Sequence, residues 1–238
     1  MAAALAEEPR RHLGRVIVLD TETTGLDPAA GHRIVEVACI ELVNLVPTGR
    51  ELHFYCNPER DMPEDALAVH GLTADFLGGH KTFAEEAARL TEFLALAEAL
   101  VAHNAPFDVA FLDAELTRCG LPRLACDIVD TVALARRKFP GAPASLDALC
   151  RRFAVDLSQR SKHGARLYAE LLATVYLELI GGRQPGLDFA VQALNAAAGG
   201  AVERVMRPPR PHAPSDAELA AHEAFLAKLK SPLWLAEE

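Results

Sequence analysis

The amino-acid sequence predicts a mixed α/β layer fold. Apolar, β-branched runs fill the chain up to residue 56, and helix-period stripes fill 82–180. One short apolar run at 99–102 interrupts those stripes. Val16-Ile17-Val18-Leu19 reads as a buried strand, and 34–43 and 51–56 as two more. Pro47-Thr48-Gly49 between the last two predicts the turn of an antiparallel connection. Thr82 and Glu85 form a capping box, and Phe83, Ala87, Leu90 and Leu94 follow at helical spacing. Residues 99–102 form a short strand. Residues 106–118 form a helix with Phe107, Ala110, Phe111 and Ala114 on one stripe, stopped by Gly120. Helices around 131–138, 145–153 and 164–180 complete the body.

The chain divides by composition. Residues 1–13 are an N-terminal extension, 14–182 the main domain, 183–214 a linker and 215–238 a tail. Arg207-Pro208-Pro209-Arg210-Pro211-His212-Ala213-Pro214 can be neither helix nor central strand. Ser215 with Glu218 makes a second capping box, and Leu219, Phe225, Leu226 and Leu229 lie near one face of the helix that follows. Pro232 stops that helix and Trp234 lies beyond it. A short amphipathic helix past a Pro-rich linker has no core of its own, so it is either disordered or a docking peptide, and docking is the favoured expectation.

At 238 residues, half of them hydrophobic, the chain can bury a full core. No run reaches the ~18 apolar residues of a membrane span, so no membrane partner is expected. The opening Met1-Ala2-Ala3-Ala4-Leu5-Ala6 is too short, and Glu7 and Glu8 too acidic, for a secretory signal. A cytoplasmic location follows as the expectation. Five cysteines, none in CxxC spacing, read as small buried hydrophobes. The net charge of −9 argues against nucleic-acid binding by bulk electrostatics. If the substrate is nucleic acid, metal ions must offset local repulsion or a partner must hold the substrate.

The chemistry is concentrated in three segments. Asp20-Thr21-Glu22-Thr23-Thr24-Gly25 follows the first strand directly. Asp20 and Glu22, two apart in extended chain, share one face and can converge on one metal. Oxygen ligands from separate elements suit Mg²⁺. Val101-Ala102-His103-Asn104-Ala105-Pro106-Phe107-Asp108 supplies a third acid, and Ser161-Lys162-His163-Gly164-Ala165-Arg166-Leu167 a histidine. Taken alone, Asp108 is also the acid that a helix N-terminus favours. Gly164 after His163 would leave the ring accessible, and a pKa near neutrality suits a general base.

These segments resemble the DnaQ-like DEDDh 3′→5′ exonucleases of ribonuclease H-like fold, and among them most the proofreading subunits of bacterial replicative DNA polymerases. The resemblance runs from about residue 14 to 190. It includes Val69-His70-Gly71-Leu72, Asp130-Thr131 and the segment from Phe139 to Cys150. It implies a mixed five-stranded sheet flanked by helices with a flexible C-terminal tail. It also implies two Mg²⁺ or Mn²⁺ ions and removal of the terminal nucleotide from a single-stranded 3′ end of DNA. Asp20 and Glu22 would hold the metal, Asp108 would act through water, and His163 would be the base. Asp65 and His70 match positions that contact the terminal nucleotide, and Asn104 lies beside the third motif.

Tyr168 departs from the pattern. It stands five residues after His163, where the family places its last metal-binding Asp. A neutral phenol is a poor Mg²⁺ ligand, and ionising it at a pKa near ~10 is costly. Glu170 lies about 200° around the helix from it and is a poor substitute. Gln184-Pro185-Gly186-Leu187-Asp188-Phe189 fits the Q-x-x-[L/M]-x-F pattern of sliding-clamp docking. Gln184 would bond the pocket rim, and Leu187 and Phe189 would fill the groove. The tail from Ser215 resembles, by location, the segment that ties such subunits to the polymerase catalytic subunit. Three functions remain open in the sequence: a proofreading exonuclease, an impaired structural subunit of the polymerase–clamp assembly, and a stand-alone RNA-trimming exonuclease.

Overall fold

The computed structural model describes residues 12–157, 164–181 and 213–229. Two compact units divide the chain, Met1–Gly186 and Leu187–Glu238. The first unit holds a five-stranded sheet in the order β3-β2-β1-β4-β5. Its strands are β1 (Arg15–Thr23), β2 (Ile34–Val43), β3 (Val46–Tyr55), β4 (Ala99–Ala102) and β5 (Asp127–Asp130). β1 pairs antiparallel with β2 and parallel with β4, and β4 pairs parallel with β5. The sheet is therefore mixed, and its direction changes at β1.

Among the described residues of this unit seven α-helices alternate with the later strands: α1 (Glu64–His70), α2 (Ala74–Gly78) and α3 (Phe83–Leu94) before β4, α4 (Ala105–Arg118) between β4 and β5, and α5 (Thr131–Lys138), α6 (Leu146–Arg152) and α7 (Ala165–Leu179) after β5. Alternation along β1 sorts α3 to α7 into two layers. Ile17 and Leu19 enter an apolar cluster with Leu90 of α3 and Phe111, Leu112 and Leu116 of α4. Val16 and Val18 enter the opposite cluster with Leu134 of α5, Leu149 of α6 and Leu172, Val175 and Tyr176 of α7. The capping box of Thr82 and Glu85 starts α3 as expected.

The sequence misplaces one turn. The β2–β3 hairpin closes at Asn44 and Leu45, with φ of 51° and 62°, and Val43 faces Val46. Two left-handed residues in a two-residue loop match the right-handed twist of the flanking strands. Pro47 and Gly49 lie inside β3 instead, where the ladder slips between Ile40 and Leu42. β3 is an edge strand, so the missing N–H of Pro47 leaves no ladder bond broken. The sequence also shows no sign of β5, whose Asp-Ile-Val-Asp is too short and too acidic for the apolar pattern, nor of α1 and α2.

In the second unit the described residues form α8 (Asp216–Leu226), started by the capping box of Ser215 and Glu218. Leu219, Phe225 and Leu229 are exposed. The Pro-rich stretch 207–212, the clamp-like residues Gln184, Leu187 and Phe189, and Trp234 lie outside the described residues, as does His163.

Candidate active site

Strand pairing assembles the acids. Val18 of β1 lies beside Val101 of β4 in parallel register. The carboxyl ends of both strands thus fall together, where open α/β sheets place their ligands. Asp20 and Glu22 occupy this end of β1 on the face that turns toward α5, α6 and α7. Thr21 turns to the other face, and its hydroxyl donates to Asp108 Oδ1 at 2.7 Å. Asp108 sits in the first turn of α4, which starts three residues after β4 ends, and is 3% exposed.

Asn104 makes the tight step from β4 into α4. Its φ of 68° and ψ of 50° are left-handed, a conformation asparagine tolerates better than most residues. Its N–H donates to Asp130 Oδ1 at 3.0 Å, and the same oxygen caps α5 through Val132 N–H. The Asn104 side chain is exposed. Gly25 leaves room for the His32 ring, which would lie 2.3 Å from a Cβ there.

The acids repel one another. Burial, then the charges of Asp108, Glu22 and Glu36, push the Asp20 carboxyl well above its ordinary range. Burial, then Glu36 and Asp108, push Glu22 up to about 7. Burial raises Asp108 to about 7 against the downward pull of the Thr21 hydroxyl. None of the three forms an ion pair among the described residues. An all-oxygen donor set with unbalanced negative charge fits a hard divalent cation. However, no group of three or more His, Cys, Asp or Glu side chains among the described residues is placed to hold an ion.

Tyr168 stands in the first turn of α7, half-buried, and packs against the apolar cluster of Val16 and Val18. It thus extends the helix's apolar stripe where a carboxylate would bring charge toward β1. Glu170 does not replace that charge. It is exposed and pairs with Arg166 at 3.5 Å.

His70 ends α1 and is delivered by Gly71, which takes φ of 74°. It is buried, and its Nδ1 accepts the Leu72 N–H at 3.0 Å, so Nε2 carries the proton. Nε2 is buried without a hydrogen bond of good geometry among the described residues. Burial lowers the pKa of this ring, against the opposing pull of the Thr23 backbone and Glu36. A cleft of about 720 Å³ opens beside it, lined among others by Glu36, His53, Tyr55, Phe76 and Arg166. Asp65 stands apart from this group, exposed in the first turn of α1. Thr21 and Glu36 escaped the sequence reading. Glu36 was legible in principle, since it and Glu41 are the two charged residues of an otherwise apolar strand.

The RNase_T family model, described as Exonuclease, matches residues 17–176. The DNA polymerase III subunit epsilon of Rickettsia felis is 46% identical over 222 residues, covering 90% of this chain and 96% of the relative. The subunit of the same name from Escherichia coli is 41% identical over 225 residues, covering 89% and 92%. Exonuclease X, solved in complex with 5′ overhanging duplex DNA, superposes with a TM-score of 0.51 at 26% identity, covering 69% of this chain and 89% of that one. A zinc-bound form of E. coli ExoI with single-stranded DNA reaches 0.61 at 19% identity, over 71% of this chain and 40% of that one, a likeness of fold. No helix among the described residues is long and apolar enough to cross a membrane. By its acids, its sheet order and these relatives, the chain belongs to the exonuclease family, and within it to the DNA polymerase III epsilon subunits.

Proposed function

We infer that the protein is the 3′→5′ proofreading exonuclease of a bacterial replicative DNA polymerase, slowed by Tyr168. The observation that carries this reading is the meeting of Asp20, Glu22 and Asp108 at the carboxyl ends of β1 and β4 in a chain of this family. The substrate is a single-stranded 3′ end of DNA. Hydrolysis joins a water oxygen to the terminal phosphorus and breaks the bond to the 3′ oxygen, which leaves with the shortened strand. His163 takes the proton of the attacking water. His70 offers its buried Nε2–H to the terminal nucleotide, and Asp65 and Asn104 are assigned to the same nucleotide by their family positions.

Asp20 and Glu22 would hold Mg²⁺ or Mn²⁺, with Asp108 reaching the ion through water, and two ions are expected in a complete site. A bound divalent ion supplies positive charge to the attacking and leaving oxygens. Tyr168 removes one carboxylate from this set. Losing even an outer partner of a metal ligand costs about 10–100-fold, and losing a ligand costs at least as much.

The acidic chain gains access to DNA through its partners. Residues 184–189 dock on the sliding clamp, and the tail from Ser215 docks on the polymerase catalytic subunit. The apolar packing of Tyr168 favours a second reading, in which the chain is mainly a structural subunit of that assembly. Digestion of a mismatched primer with Mg²⁺ and with Mn²⁺ separates the two. The proofreading reading requires measurable mismatch removal by the unaltered protein. If digestion appears only after Tyr168→Asp, the structural reading takes its place.

A further inference from the structure

Glu36 interrupts the apolar run Ile34-Val35-Glu36-Val37-Ala38-Cys39 and is 2% exposed. A buried carboxylate is costly unless its oxygens are bonded, and both are. Oε1 accepts from His53 Nε2 at 2.7 Å, and Oε2 accepts from the Ala165 N–H at 3.1 Å. The second bond crosses from the sheet to the first residue of α7.

That helix needs the bond. The first four N–H groups of a helix have no partner within it, and a polar residue at the N-cap ordinarily satisfies one. Gly164 holds the N-cap of α7 and has no side chain to do so. Glu36 supplies the acceptor from β2, and its charge also suits the positive end of the helix. Small side chains make the approach possible, since Ala38, Ala165 and Ala169 form their own buried contact between β2 and α7. A Cβ on Gly164 would meet the two Glu36 oxygens at 3.8 and 3.9 Å. Across the β1–β2 ladder, Glu36 stands opposite Glu22. One carboxylate therefore ties β2, the strand paired beside the acids of β1, to the helix that carries Tyr168, at a residue two after His163.

We propose that Glu36 is a positioning residue for the exonuclease reaction, capping α7 from β2 and so fixing the start of that helix relative to Glu22. The proposal rests on the exonuclease reading above, and its test separates the two. Glu36→Ala, Glu36→Gln and Glu36→Asp are compared in the unaltered protein and with Tyr168→Asp, by steady-state digestion of a short single-stranded oligonucleotide and by amide exchange at Ala165. Glu36→Ala is expected to lower kcat by about 10–100-fold, the usual effect of losing an outer positioning partner, with KM within about threefold. Glu36→Gln keeps an oxygen toward Ala165 and is expected to stay within about fivefold in kcat. Exchange at Ala165 accelerates in Glu36→Ala and not in Glu36→Gln. Should Glu36→Ala fail to fold, Glu36→Asp, withdrawn by one methylene, is expected to fold and show the same loss in smaller measure. Unchanged kcat in Glu36→Ala, equal loss in the Ala and Gln variants, or unchanged exchange at Ala165 overturns the proposal. If every protein leaves DNA intact, the exonuclease reading falls, and the exchange result alone decides whether Glu36 holds α7.

Discussion

Asp20, Glu22 and Asp108 share one corner of the sheet with no cation beside them among the described residues. In the metal-free protein their carboxyls titrate high, with Glu22 and Asp108 near about 7. An unfolded carboxyl titrates near ~4. Between these values the folded state binds more protons than the unfolded one, so stability falls as pH rises through this window. In chelator, Tm should fall from pH 5 to pH 7, and excess Mn²⁺ should restore it at pH 7; a chelated protein whose Tm rises with pH over this range would contradict the crowding of acids. Thr21 offsets part of this repulsion through its bond to Asp108. Thr21→Val should cost about 1.5–3 kcal/mol, the usual worth of a hydrogen bond to a charged group, read by urea denaturation at pH 8. Tyr168→Asp should raise the digestion rate at least ~100-fold, by restoring an oxygen ligand. Equal rates would mean that another group completes the ion's shell.

Among the elements, long periodic segments were legible in the sequence and short or strained ones were not. The stripe Phe83, Ala87, Leu90 marked α3, and Gly120, at φ of 70°, marked the end of α4. The acids were legible too, because a D-x-E pair directly after an apolar strand leaves few other readings. Their bond through Thr21 was not, since it depends on the parallel pairing of β1 with β4, which no local pattern encodes. The β2–β3 turn was misread because Pro-Thr-Gly carries stronger turn chemistry than Asn-Leu, yet the ladder admits a bulge at an edge. The structure also exposes a local conflict after α3. Leu96 takes φ of 60° and is 94% exposed, so its side chain gains nothing from packing. A left-handed non-glycine residue costs about 1–2 kcal/mol, and glycine loses about 0.5–1 kcal/mol of that advantage to backbone entropy. Leu96→Gly should therefore stabilise the protein slightly, by roughly 0.5–1 kcal/mol, seen as a higher Tm with unchanged digestion. A lower Tm would show that Leu96 has contacts beyond those described.

At the scale of the molecule, the proposed function assigns cutting to one unit and attachment through the tail to the other. The acids lie in the unit Met1–Gly186, and α8 lies in the unit Leu187–Glu238. Removing residues 207–238 should leave digestion of a short oligonucleotide unchanged while abolishing co-purification with the polymerase catalytic subunit. Retained co-purification would overturn the assignment of the tail. The full chain carries a net charge of −9, and the truncated protein stays strongly acidic, so it should also bind DNA weakly by itself. The bond between Thr21 and Asp108 spans 87 residues, and that between Glu36 and Ala165 spans 129. Both must wait for distant chain. At the usual ~5–20 residues per second of synthesis, Asp20 leaves the ribosome about 7–30 s before Ala165. Throughout that interval the nascent chain carries its acids without the helix that closes their layer, so a product aborted before residue 164 should leave DNA untouched. On the exonuclease reading, the order of the elements along the chain should thus keep unfinished copies harmless to DNA.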